Sequence, residues 1–262
     1  MDKGHPTMAL TPRVLIIAGT DPTGGAGIVR DIETLSHFNV MAALAVTSIN
    51  VQTDKSVETL GGEDANLIAA QINAAFTKDD IQAIKIGQIC DAKAVEAIAQ
   101  TLQNNKQCPI ILDPVLAASS GGALVQDGLI DALKKHLMPL TTLITPNLLE
   151  LKQLTQTLKP TKQAYAKLED KAISQAQNLI QQTHVQAVLI KGGHAQGETS
   201  TDILLTKDSC KKYQSPRLKA TMRGTGCALS SAIATQMALG KPLEDAVQLA
   251  KDYVFSKLSS QL

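Results

Sequence analysis

The chain has 262 residues, 44% of them hydrophobic and 19% charged, with a formal net charge of +1. This is enough chain for one large α/β domain with a substantial core, and the balanced charge gives no reason to expect nucleic acid or a membrane surface as partner. Aromatic residues make up 2% and Trp is absent, which argues against a stacking platform for single-stranded nucleic acid.

Residues 1–12 read as a flexible lead-in with no apolar run of signal-peptide length. Val14–Gly19 is a β-branched run ending in glycine, a buried strand. A helix is expected over Gly24–Phe38. Val40–Val46 is apolar and Val46–Gln52 strand-like. Helical spacing returns over Asp64–Phe76 and Ala92–Gln103, with a short strand Ala83–Ile86 between them. Pro109–Leu112 predicts a strand, Asp127–Leu137 a helix and Thr142–Thr145 a strand. Asn147–Leu158 is a helix opened by a capping box, with Asn147 as cap and Glu150 at the third helical position. Pro160–Lys167 reads as a loop and Leu168–Gln182 as a helix. Ala187–Lys191 is a strand, and Thr201–Leu205 with Cys210–Gln214 a hairpin. Two helices close the chain, Cys227–Leu239 and Pro242 to about Leu258.

Strand–helix alternation predicts a mostly parallel sheet with helices on both faces, and functional groups at the carboxyl ends of the strands. Gly19, Gly87, Asp113, Thr145 and Lys191 fall there. No linker or repeat divides residues 13–262, which read as a single domain. The four cysteines, Cys90, Cys108, Cys210 and Cys227, form no C-x-x-C pair. Structural zinc and a disulfide framework are therefore not expected, and a reducing cytoplasm suits the chain.

Five segments carry chemistry. Arg223-Gly-Thr-Gly-Cys227 runs into a helix, so its N–H groups and the helix dipole form an anion hole suited to phosphate. Cys227 in that first turn is expected to have a lowered pKa. Ala18–Gly27 (AGTDPTGGAG), followed by Asp31, is neither a Walker A loop nor a dinucleotide fingerprint. It is read as a turn whose glycines let a flat small molecule approach the backbone, or as a plain connection. Asp113-Pro-Val115, with Ser119–Gly122 after it, puts a carboxylate at a strand tip, as Mg2+ sites do, or simply initiates a turn. Thr145–Glu150 combines the capping box with a helix face shared by Asn147 and Glu150. Lys191-Gly-Gly-His194 places an ammonium beside two glycines, and His194 reads as a loop residue.

The order GTDPTGGAG, DPV, TPNLLE, IKGGH, GTGCALSSA resembles the hydroxymethylpyrimidine/phosphomethylpyrimidine kinases of thiamine synthesis, from about Val14 to Tyr253. The resemblance implies a ribokinase-like three-layer α/β/α sandwich, a homodimer, and MgATP-dependent phosphorylation of 4-amino-5-hydroxymethyl-2-methylpyrimidine or its monophosphate. A pyridoxal-type kinase and a non-catalytic pyrimidine-binding paralogue are the alternatives. The resemblance assigns Gly19, Ala26, Asp31, Gln52 and Val115 to the pyrimidine, with Asp31 and Gln52 reading the ring nitrogen and amino group. It assigns Asp113 and Glu150 to Mg2+ and phosphate. Asn147, Lys191, Gly192 and Gly193 go to the nucleotide, and Gly224, Thr225, Gly226 and Cys227 to phosphoryl transfer, with Cys227 as base or hydroxyl positioner.

The chain departs from the family at several points. Thr221-Met-Arg223 replaces Asn-Thr-His, and Ala118-Ser-Ser-Gly121 replaces Ala-Lys-Ser-Gly. Arg223 is expected to restore the missing positive charge near the phosphates. Asn50 and Gln88 put amides at pocket positions that are often less polar, which points to a more polar ligand or to bound water.

Overall fold

A computed structural model describes residues 11–53, 56–78, 81–105, 108–116, 127–156, 158, 168–193 and 197–262. Strand β1 (Arg13–Gly19) is an interior strand, third of nine in the sheet order. Its alternation sends Val14, Ile16 and Ala18 to one face and Leu15 and Ile17 to the other, all buried. Parallel strands surround it: β2 (Met41–Gln52), β4 (Ala83–Ile86), β5 (Ile110–Leu112), β6 (Leu143–Ile144) and β7 (Ala187–Ile190). Antiparallel strands close both edges: β3 (Val57–Gly62) against β2, then β8 (Thr199–Thr206) and β9 (Cys210–Pro216) beyond β7. The order is β3-β2-β1-β4-β5-β6-β7-β8-β9.

Helices α1 (Gly27–His37), α7 (Thr225–Ala238) and α8 (Leu243–Ser259) pack on the face that holds Val14 and Ile16. Helices α2 (Ala65–Lys78), α3 (Ala92–Gln103), α4 (Leu129–Ala132), α5 (Leu148–Thr155) and α6 (Leu168–Thr183) cover the other. This is the expected three-layer sandwich. Each fully buried Leu or Ile contributes about 1.5–3 kcal/mol of apolar transfer, so the aliphatic core does the work that aromatics do elsewhere.

Several local expectations change. The two segments read around Val46 are one strand, β2. Strand β3 went unread because Val57–Gly62 ends in two glycines and is mostly exposed; it exists by pairing with β2. Helix α1 starts at Gly27, three residues late, because Asp21–Ala26 forms a turn held by Asp21. The helix expected over Asp127–Leu137 is α-helical only for Leu129–Ala132. It continues as a π-helical turn, Leu133–Leu137, and a 3₁₀ turn, Met138–Leu140, where Pro139 lacks the N–H that a longer helix needs. The expectations for residues 1–10, Ser119–Gly122, Pro160–Lys167 and His194 lie outside the described residues.

Candidate active site

Three parallel strand ends, those of β5, β6 and β7, deliver the charged half of the site. Asp113 follows β5, is buried, and accepts from Lys191 Nζ at 2.7 Å and from Thr145 Oγ1 at 3.2 Å. Lys191 follows β7, where its N–H bonds Pro146 O and it bridges to Asn147 beside it. Glu150 closes the observed capping box: its Oε2 accepts from the Asn147 N–H at 2.7 Å, and Asn147 Oδ1 accepts from the N–H groups of Leu149 and Glu150. The cap uses the amide oxygen of Asn147 and turns Glu150 inward, to 3.7 Å from Lys191 Nζ. One ammonium thus gathers two carboxylates. Burial alone would lower the pKa of Lys191, but Asp113 and Glu150 hold it well above the usual lysine range. Burial likewise works against ionised Asp113, and Lys191 and Lys85 override it, keeping that carboxyl low. Glu150 is different: burial, with the nearby Asp113 charge, pushes it up against the pull of Lys191.

The first turn of α7 faces this cluster. Lys191 Nζ lies over Gly226, and Ser230 Oγ reaches Asp113 Oδ2 at 3.4 Å. Gly224 caps the helix with φ 71° and no side-chain hydrogen bond, so the Thr225–Cys227 N–H groups have no carbonyl one turn earlier. A Cβ on Gly224 would fall 2.4 Å from Gly25 O, so glycine alone lets this turn touch the β1–α1 loop beside Ala26. Gly192 N–H is bonded to Asp202 Oδ1 (2.8 Å), whose other oxygen takes Lys251 from α8 (2.7 Å). That buried pair fixes the strand end next to Lys191 and Gly193.

The uncharged half lies at the ends of β1, β2 and β4. Gly19 sits against Ser48 Oγ, Gln88 Oε1 and Asn50 Nδ2. Asn50 Nδ2 donates to Thr20 O and to Gln88 Oε1, both at 2.9 Å. Half-buried Gln52 ends β2, and its side chain helps hold the Asp21 carboxyl below its ordinary value. Val115 follows Asp113 by one Pro and folds its N–H back to Asp113 O at 2.9 Å.

Against known proteins, the family model described as phosphomethylpyrimidine kinase matches residues 21–262. The chain belongs to the phosphomethylpyrimidine kinase family. It is 36% identical over 252 residues to a hydroxymethylpyrimidine/phosphomethylpyrimidine kinase of Rhizobium meliloti, covering 96% of this chain and 92% of that one. A phosphomethylpyrimidine kinase structure from Clostridium difficile superposes with TM-score 0.79 at 31% identity, covering 94% and 99%. The pyridoxal kinase of Staphylococcus aureus in complex with pyridoxal gives 0.83 at 25% identity, covering 96% and 89%.

In this family member three sequence expectations need correction. Asp31 does not face the pocket. It is wholly buried, with Lys85 Nζ on one oxygen and Ser231 Oγ on the other, each at 2.7 Å. Lys85 is paired in register with Ile16, so its side chain leaves β4 on the α1/α7 face. Burial would discharge it, but Asp31, Cys227 and Asp113 keep its pKa raised. Cys227 is not an acidified thiol: burial pushes it up to about 11, Lys85 only partly opposing, with Asp31 and Asp113 adding to the rise. Helix-terminus potential is outweighed there by desolvation and two carboxylates. Arg223, expected as a spare positive charge for the phosphates, is already paired: it bonds Asp21 and Thr23 of the β1–α1 loop.

Asn50 shifts in emphasis as well. It is 4% exposed, so the half-exposed amide beside the pocket is that of Gln88. Sequence reading missed Lys85, Asp21 and the Asp202–Lys251 pair. Only Lys85 left a trace, as a charge inside the apolar run Ala83–Ile86.

Proposed function

We propose that the chain phosphorylates the hydroxymethyl group of 4-amino-5-hydroxymethyl-2-methylpyrimidine, its monophosphate, or both, using ATP. The observation that carries this is the Asp113–Lys191 pair, 2.7 Å long, set against the open first turn of α7 at Gly226. Lys191 supplies fixed positive charge, and the Thr225–Cys227 N–H groups supply donors aimed at the same place. Such preorganised donors stabilise a transferring phosphoryl group without reorganising during the step. Gly193 and the amide nitrogen of Asn147 remain for the nucleotide. The uncharged half orients the pyrimidine through Gln52 and Gln88, beside Gly19, Ala26 and Val115. Cys227, a neutral thiol at pH 7, positions the substrate hydroxyl rather than removing its proton.

The donor set fits Mg2+. That ion is commonly held by one or two carboxylates plus substrate phosphates, and Asp113 and Glu150 already converge on one cation. Mg2+ bound by these two residues would neutralise phosphate charge.

We further propose a cytoplasmic homodimer. Ile49 and Val51, 60% and 49% exposed, stand together on the face of β2 opposite Asn50, an apolar surface that a second copy would cover. No helix among the described residues is long and apolar enough to cross a membrane, and all four cysteines are free thiols.

The test is coupled ADP release with the aminopyrimidine, its monophosphate and pyridoxal. Turnover of either pyrimidine above pyridoxal supports the assignment. Preference for pyridoxal assigns the chain to the other vitamin, and ligand-induced stabilisation without ADP release would make it a non-catalytic binder.

A further inference from the structure

Lys85 and Ser231 close over Asp31, so a ring nitrogen of the pyrimidine needs another reader. A donor stands at the carboxyl ends of β1, β2 and β4, the edge where parallel sheets bind ligands. Both hydrogens of Asn50 Nδ2 are committed, one to Thr20 O and one to Gln88 Oε1, each at 2.9 Å. A backbone carbonyl only accepts. A flipped Asn50 would therefore set its oxygen against two acceptors. The two donated bonds hold the amide this way round although Asn50 Oδ1 is buried without a partner among the described residues. The main chain is tied on both sides: Asn50 N–H donates to Thr20 Oγ1 at 3.1 Å, and Thr47 Oγ1 donates to Gln88 O at 2.5 Å. Asn50 is 4% exposed, whereas Gln88 is half-buried beside Gly19. With its oxygen taken by Asn50, Gln88 has only Nε2 to offer. That nitrogen meets no acceptor among the described residues.

We propose that Gln88 is a specificity-determining residue: its Nε2, pinned by the Thr20–Asn50–Gln88 chain of hydrogen bonds, donates to an unprotonated ring nitrogen of the pyrimidine. Asn50 does not touch the ligand and is a positioning residue. A ring nitrogen carries a lone pair in the ring plane and accepts. A C–H at the same place leaves the donor unpaired, and an amino group there sets donor against donor. A site built around a fixed donor rejects ligands that lack the acceptor. The inference rests on the reading of the chain as a pyrimidine kinase and names the ligand atom that the uncharged half recognises.

The test is calorimetric binding, without ATP and at about pH 8, of the aminopyrimidine and of its carbocyclic analogue with C–H at both ring-nitrogen positions. The wild type is expected to prefer the aminopyrimidine by about tenfold or more. Gln88→Glu keeps the bond from Asn50 and exchanges only the donor for an acceptor. It should weaken aminopyrimidine binding about tenfold, leave the analogue within about threefold, and so erase most of the preference. Gln88→Met removes the donor without adding charge. It should also narrow the preference about tenfold, and it serves if Gln88→Glu does not fold. Asn50→Leu frees the Gln88 amide to flip and should narrow the preference about threefold.

An undiminished preference in both Gln88 variants would overturn the inference, as would a wild type that binds the two ligands equally or binds neither. An undiminished preference in Asn50→Leu would overturn the positioning role of Asn50. ADP release by the wild type tests the kinase reading separately. Release from the aminopyrimidine with no preference between the ligands sinks this inference alone, and preference without ADP release sinks the kinase reading alone.

Discussion

The two halves of the site solve the same problem with opposite materials. In the charged half, buried ions face one another: Asp113, Lys191 and Glu150, with the Asp31–Lys85 pair behind them. In the uncharged half, amides and hydroxyls gather: Ser48, Asn50, Gln52 and Gln88, with one buried carboxylate, Asp21, nearby. A phosphoryl group needs fixed charge, and buried charge survives only when paired. A flat neutral ring needs oriented dipoles, and those need something to stop them flipping.

The largest break in this contrast should come from the charged half. Lys191→Met removes the cation between Asp113 and Glu150, leaving only Lys85 to act on Asp113. It should lower kcat/KM by about a thousandfold and cost about 3–5 kcal/mol of stability, read by ADP release and thermal melting. Gly224→Ala acts where the halves touch. With φ 71° and Gly25 O in the way, it should cost about 1–3 kcal/mol and raise the KM values for both substrates.

Asp31→Asn separates a supporting ion pair from a ligand contact. The melting temperature should fall while the pyrimidine KM stays within about twofold. A selective rise in that KM at unchanged stability would put Asp31 back in the pocket. Cys227→Ser should have the smallest effect, with kcat/KM within about threefold between pH 6.5 and 8.5. The thiol ionises in the unfolded chain near its ordinary value but stays protonated in the folded one up to about 11. Stability should therefore decline with rising pH across that interval, and Cys227→Ser should flatten the decline in a pH series of denaturant melts.

The charged half was largely legible because the topology is. In a parallel sheet each strand ends at the same edge, so Asp113, Thr145 and Lys191 meet once the strands are recognised. The Asn147–Glu150 capping box is local chemistry and was readable as such. The sequence alone also determined the layer architecture, since apolar runs such as Val14–Gly19 alternating with helical segments leave few other ways to bury the chain.

The tertiary structure decided what each charge faces. Asp31 looked like a ligand contact until Lys85 and Ser231 closed over it. Cys227 looked acidic until its burial beside two carboxylates was apparent. Arg223 looked like a spare charge until Asp21 was found against it. Helix termini, caps and strand tips act over a few residues and leave a pattern in the sequence. Desolvation and ion pairing depend on which groups the fold brings within a few ångströms, and separation along the chain carries no record of that.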